Sequence, residues 1–317
     1  MLARIFGYIN SSTNILLVLY ALILTSSHFL LSDHPKFIFE TNWANFQFVT
    51  LAGYAISFGL MLLISFYAQW LLEYKYKLVK RHAFLPFFLM TILMLFSVDG
   101  NLNLLITILY LLILISSWFS VYQGEKLLPR ALNTGLLLGF GSILDTRISI
   151  LIVFSMIVYL IYGRLNLRSL FILIIGFLTI WLDALALEYI VFDTTSTYQY
   201  FTSIFSITKP FGAMVESYLP LGFVLILLIL GLTELPKTLS RANVFKRQSY
   251  IVVMSLLLLG VIGFLVLTQS VFQMAILIIC TCILFVNFFQ YLQKIWIKEA
   301  IMWVSIAFII VAELNLI

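Results

Sequence analysis

Apolar residues in this chain fall into long runs, interrupted by short clusters of charged and turn-forming residues. Reading the runs between the clusters predicts eleven helical stretches: 13–31, 46–72, 83–98, 102–122, 131–144, 148–162, 169–187, 218–233, 249–267, 271–290 and 300–316. Most of them reach or approach the about 20 residues that a helix needs to cross a hydrocarbon core of roughly 30 Å. A membrane β-barrel would alternate apolar and polar residues in short segments. Runs such as 221–231 and 251–267 are apolar on every face, so the pattern predicts helices.

Composition agrees with that pattern. Apolar residues make up 63% of the 317 residues and charged residues 10%, against roughly 45–50% and about 25% in soluble domains. This excess of apolar side chains excludes both a soluble globular chain and a disordered one.

Charge supplies an orientation. With a cytoplasmic N-terminus and eleven spans, 15 of the 18 basic residues fall in inner segments, and only Lys36, Arg147 and Lys209 fall outside. The acids divide as four inside and nine outside, so inner segments sum to +11 and outer ones to −6, within a net charge of +5. The positive-inside rule therefore favours N-in and C-out. The expected fold class is all-α: a polytopic helical membrane protein of about eleven transmembrane helices. Its expected location is the bacterial inner (cytoplasmic) membrane. The balance of charge reports topology and implies no nucleic-acid partner.

The first span has a thin basic flank at Arg4 and no small-residue cleavage site, so it reads as uncleaved. Cys280 and Cys282 stand two apart on one predicted helix and point to different faces, which suits neither a disulfide nor a metal.

Two hairpins have the same outline. Residues 83–122 turn at Asp99-Gly100-Asn101, and residues 131–162 turn at Asp145-Thr146-Arg147. The first helix of each is short, ~24 and ~21 Å at 1.5 Å per residue. Their outer turns should therefore be recessed, and a recessed polar turn needs protein or a wet cavity around it. An outward cavity near Asp99 and Asp145 is expected. The outer segment 188–217, rich in Thr, Ser, Tyr and Phe, reads either as a connector with an aromatic belt or as a lid. The basic inner segment 234–248 marks the expected boundary between an N-terminal membrane bundle, 1–233, and C-terminal membrane helices, 234–317. No soluble domain is expected.

Nucleotide-binding glycine loops, zinc spacings and serine-elbow motifs are absent from the sequence. His28 and His34 flank Asp33, and His82 reads as an interfacial residue of a basic inner loop. Ionisable residues are scarce within the predicted spans, where Asp183 and Glu313 lie near helix ends. Asn133, Asn287 and Gln290 read as hydrogen-bonding links between helices. That scarcity disfavours an ion-coupled transporter, which needs carboxylates or broken helices at the midplane. Any chemistry would then belong to the outer rim: Asp33, His34 and Glu40, then Asp99, then Asp145 and Arg147, then Asp183, Glu188 and Asp193. Carboxylates against apolar walls serve as general bases, and an arginine can pair with phosphate in two-pronged fashion.

The segment 131–182 runs Gly135-Leu-Leu-Leu-Gly139-Phe-Gly141, then Asp145-Thr-Arg147, an apolar helix, Arg164 and Arg168, and a helix bearing Gly176. It resembles the C-type membrane glycosyltransferases (GT-C). The whole chain also resembles an uncharacterised family of Bacteroidota integral membrane proteins. The GT-C resemblance implies a seven-helix module followed by a long outer loop and four further helices. It implies sugar transfer from a polyprenyl-phosphate carrier at the outer face, with Asp33 or Glu40 as base and Asp99 as a second-loop acid. Arg147 would meet the carrier phosphate, with Asp145 and Glu40 also on the substrate. The chain departs from that family in its short first outer loop, which lacks paired acids.

Three functions stay open. The first is a non-catalytic subunit or scaffold of a cell-envelope complex, such as secretion or translocation machinery, with membrane-protein partners. The second is a GT-C-like transferase using a polyprenyl-phosphate lipid, and the third is a transporter. Whether the protein is an enzyme is undecided, and no cofactor or metal is implied; the certain partner is the lipid bilayer.

Overall fold

A computed structural model of the chain describes residues 2–7, 11–31, 46–80, 82–96, 102–122, 126–192, 218–266 and 271–313. Among them every regular element is helical: α1 (Leu2–Ile5), α2 (Ser11–Leu31), α3 (Phe46–Gln69), α4 (Phe84–Phe96), α5 (Leu102–Val121), α6 (Leu127–Leu144), α7 (Leu151–Ile161), α8 (Leu167–Phe192), α9 (Tyr218–Thr233), α10 (Leu235–Arg241), α11 (Val244–Val266), α12 (Val271–Tyr291) and α13 (Ile295–Glu313). Each of the eleven apolar stretches overlaps one of these helices among the described residues. Six stretches are long and apolar enough to cross a membrane: Gly53–Lys75, Leu102–Val121, Leu167–Ile190, Pro220–Arg241, Val244–Gly263 and Val271–Tyr291. Ser12–Ser26, Phe84–Phe96 and Thr146–Ile161 are apolar but shorter.

The structure corrects three details of the sequence reading. Helix α8 continues through Glu188 to Phe192, so the connector read as 188–217 begins later. The inner segment 234–248 is itself largely helical, holding α10 and the start of α11. Helix α3 does not simply stop; it widens into a π-helical turn over Trp70–Lys75. Local polarity identifies where a helix leaves the apolar phase, but not whether its backbone bonds continue.

The described chain forms two compact units, each assembled from separated stretches: 1–109, 215–241 and 277–317 in the first, 110–214 and 242–276 in the second. The division falls within α5 and α12.

In the first unit α4 is the central element, buried from Phe84 through Leu95. Its aromatic side chains interlock with α12: Phe88 meets Phe285 and Phe289 edge-on at 4.8 and 5.0 Å, and Phe84 meets Phe289 at 4.7 Å. Edge-to-face pairs of this kind add about 0.5–1.5 kcal/mol each beyond the area they bury. On α2, Tyr20 stacks on Phe87 and its hydroxyl lies 2.9 Å from Thr91 Oγ1. The side chain of Asn287 donates to Thr238 Oγ1 at 2.8 Å, tying α12 to α10 and filling the linking role read from the sequence.

Glycine organises the second unit. A β-carbon on Gly139 would lie 2.8 Å from Phe177 O, and one on Gly176 would lie 2.8 Å from Leu132 O, so α6 and α8 touch backbone to backbone. Contacts advance together along both helices, from Leu132 and Gly176 to Ser142 and Trp181, so the pair is parallel. Small residues four apart permit such an approach, which gains dispersion contacts that lipid cannot match. Above that seam Trp181 Nε1 donates to Ser142 Oγ at 2.8 Å, and Gly141 leaves room for the ring of Tyr110, whose hydroxyl donates to Leu137 O at 2.8 Å.

Candidate functional site

The most unusual polar constellation among the described residues lies where α3 ends. A backbone bond of π type carries the chain into the turn, Tyr76 N–H donating to Leu71 O at 3.0 Å, and Leu78 N–H then reaches six residues back to Leu72 O at 2.8 Å. Lys77 then takes a left-handed conformation, φ 51°, uncommon for a residue with a β-carbon. Such turns occur disproportionately at functional sites. Here the turn carries Glu73, which is 1% exposed, and the chain reverses to bring in His82, 4% exposed.

A buried carboxylate is costly unless its oxygens are satisfied. Gln69, one helical turn earlier, donates from Nε2 to Glu73 Oε2 at 3.3 Å, and the His82 backbone N–H donates to the same oxygen at 3.4 Å. The amide of Gln69 also reaches His82 O at 3.4 Å, closing a ring of three residues. His82 Nδ1 lies 3.5 Å from Glu73 Oε1. Burial pushes the imidazole down to about 4, and the nearby charges of Lys298 and Lys80 act in the same sense. His82 is therefore neutral near pH 7.

Beside it, Gln290 Oε1 accepts the backbone N–H of Lys80 at 3.2 Å, and Gln290 O accepts from Lys298 Nζ at 3.4 Å. The Lys298 ammonium lies 5.7 Å from the ring centres of both Phe84 and Phe289, and that of Lys80 lies 5.7 Å from Tyr291. Gln69, Glu73, Lys80, His82, Gln290 and Lys298 thus form one polar cluster joining α3, α4, α12 and α13. Such an arrangement can hold a proton or an anion. Among the described residues no group of three His, Cys, Asp or Glu side chains could ligate a metal.

The sequence reading missed this cluster. It took His82 for an interfacial residue and Glu73 for an ordinary inner acid, whereas both are buried. The available signal was Gln69 placed four residues before Glu73 at the end of an apolar helix, which puts amide and acid on one face.

Of the outer-rim residues, Asp33, Glu40 and Asp99 lie outside the described residues, as do His34 and Asp193. Asp145 and Arg147 are brought together in one turn. Asp145 ends α6, its backbone N–H donating to Gly141 O at 2.9 Å, and its carboxylate accepts the Arg147 N–H at 3.0 Å. That bond caps a short 3₁₀ turn, Thr146–Ile150, leading into α7, a local role common for aspartate. Arg147 is half-buried and Asp183 is exposed on α8. A second buried polar set, at the start of α6, links Arg130 to the Ser120 carbonyl and Thr134 to Ser117, with Trp118 donating to Ser155 Oγ at 2.8 Å.

Among the described residues, helical elements alone, six of them long and apolar enough to cross a bilayer, give the make-up of a multi-pass membrane protein. The sequence profile of a family of unknown function (DUF6427) matches residues 8–315, and the chain belongs to that family. Searches of curated proteins and of solved structures return no match.

Proposed function

We propose that this protein is a non-catalytic subunit or scaffold of a membrane complex of the cell envelope, and that it engages a partner through α8. The supporting observation is an exposed acid beside an apolar exposed stripe. Over Leu167–Ile190 only 22% of the helix is buried inside the chain, against 83% for Val271–Tyr291. Phe171, Ile175, Leu178, Leu182 and Leu185 form an exposed stripe, and exposed Asp183 flanks it, about 100° round the helix from Leu182. Plain lipid contact accounts for the apolar stripe but not for the carboxylate, which costs about 2.5–3.5 kcal/mol at a bilayer centre and less toward its edge. A partner helix bearing a lysine or arginine offsets that cost and covers the stripe.

The test is photo-crosslinking in native membranes from Phe171, Leu178 and Leu182, with the buried positions Leu173 and Phe177 as controls. The expected product is a single membrane protein whose crosslinked helix carries a basic residue at the level of Asp183. Crosslinks to lipid alone from all three exposed positions would overturn the reading.

A GT-C-like transferase acting on a polyprenyl-phosphate carrier is the second reading. What favours it is the tight α6–α8 pair with Asp145 and Arg147 in the turn that follows α6. Its remaining acids, Asp33, Glu40 and Asp99, are read from the sequence. Loss of sugar transfer in membranes carrying Arg147→Ala would support it, and unchanged transfer would remove it.

A further inference from the structure

We propose that the polar cluster of the first unit binds a phosphate group between Lys80 and Lys298, with the side-chain amide of Gln290 as a third donor. Gln290 is the hub. Its Oε1 is committed to the Lys80 backbone N–H and its carbonyl to the Lys298 ammonium. These two bonds orient the side chain and leave Nε2 enclosed, without a partner in hydrogen-bonding geometry, beside the imidazole of His82. The ring nitrogens of neutral His82, 4% exposed, one a donor and one an acceptor, are likewise enclosed and make no bond in hydrogen-bonding geometry. Buried donors without acceptors are rare in folded proteins and signal an ion, water or ligand.

The charges point the same way. Among the described residues no carboxylate forms an ion pair with Lys80 or Lys298. Glu73, the buried acid of the cluster, is engaged by Gln69 and by the His82 backbone. Glu299 follows Lys298 on the same helix and projects about 100° further round its axis. Burial and the charge of Lys80 both depress the Lys298 ammonium below its usual range. Two ammonium groups close enough to repel, beside an unused amide donor, are relieved together by one anion carrying several acceptor oxygens.

Phosphate suits the site better than a carboxylate because three donors from different elements need oxygens disposed in three dimensions. The surrounding surface indicates how it arrives. Trp70, Tyr74, Tyr291 and Trp296 are exposed at this end of the unit, the aromatic complement of a membrane–water boundary. The charge pattern assigns this end to the cytoplasmic side, where basic pockets between helices take anionic headgroups. Phosphate on a phospholipid and free phosphate share the chemistry, and the experiment separates them.

The full-length protein would be placed in phosphatidylcholine nanodiscs, and its thermal unfolding followed while phosphatidylglycerol is introduced or inorganic phosphate is added. The proposal expects a saturable rise in Tm with phosphatidylglycerol, or with phosphate if the source is soluble. Apparent affinity should fall about fivefold for each lysine lost in Lys80→Gln and Lys298→Gln. Lys237→Gln, which removes a lysine already paired with Glu234 at 2.8 Å, should leave the response unchanged. Lys80→Arg with Lys298→Arg keeps the charge and should retain binding even if the glutamine variants fold poorly. Equal loss in Lys237→Gln, or no response of the wild type to either probe, would overturn the proposal.

Discussion

Gly135 of α6 rests against the backbone of α8 at Leu173, so closely that a β-carbon there would collide with the Leu173 carbonyl oxygen. The α6–α8 seam is therefore defined by the absence of side chains. Gly135→Ala should cost about 1–3 kcal/mol through overpacking, and Gly135→Leu should prevent the helices from docking. Gly59, within the membrane helix α3, has open space where a β-carbon would stand, with no heavy atom within 4 Å. Gly59→Ala should thus be neutral in the same unfolding assay in detergent, and equal sensitivity at both glycines would contradict the seam.

His82 makes stability depend on pH. Its folded value, about 4, lies below its ordinary 6.5 because the cluster buries it. Between those values the unfolded chain binds the proton and the folded chain does not, so stability falls as pH drops through that window. The loss is complete below about pH 4 and amounts to at most about 3 kcal/mol. Unfolding curves at pH 7 and pH 5 should differ for the wild type more than for His82→Gln, which cannot titrate.

Glu73 is held by donors that have few other acceptors. Glu73→Leu should therefore destabilise by about 1–3 kcal/mol, the cost of stranding buried donors, while Glu73→Gln keeps one acceptor oxygen and loses less. Comparable losses in both variants would mean that the pocket senses volume and not hydrogen bonding.

Cys280 and Cys282 are both free and buried on α12. A membrane-impermeant maleimide should leave the native protein unlabelled and react only after unfolding. That silent background permits a topology test: Lys237→Cys and Lys294→Cys should label from the cytoplasmic side only. Labelling from the opposite side would reverse the orientation inferred from charge.

The positions of the helices were legible in the sequence because a membrane helix satisfies its own backbone bonds within one continuous apolar stretch. Stretches such as 102–122 and 271–290 accordingly agree with α5 and α12 to within one residue. The small residues at 135, 139 and 176 were visible too, although their partners were not. Of the outer candidates Asp145, Arg147, Asp183 and Glu188 fall among the described residues, and the Asp145 carboxylate takes a capping role that its place in a turn already suggested.

What tertiary structure alone decided is which polar residues leave the surface. Glu73 and His82 stand nine residues apart in a basic stretch, where composition predicts solvent or headgroups. A π-helical turn and a left-handed Lys77 fold that stretch back, so α4, α12 and α13 close over it. Helices apolar on all faces carry no record of which side faces protein and which faces lipid. The sequence alone therefore determined that this chain is helical and apolar enough to cross a membrane. The packing of α4 against α12, the parallel seam of α6 and α8, and the enclosure of Glu73 with His82 were decided by contacts between residues distant in the chain, which no local pattern encodes.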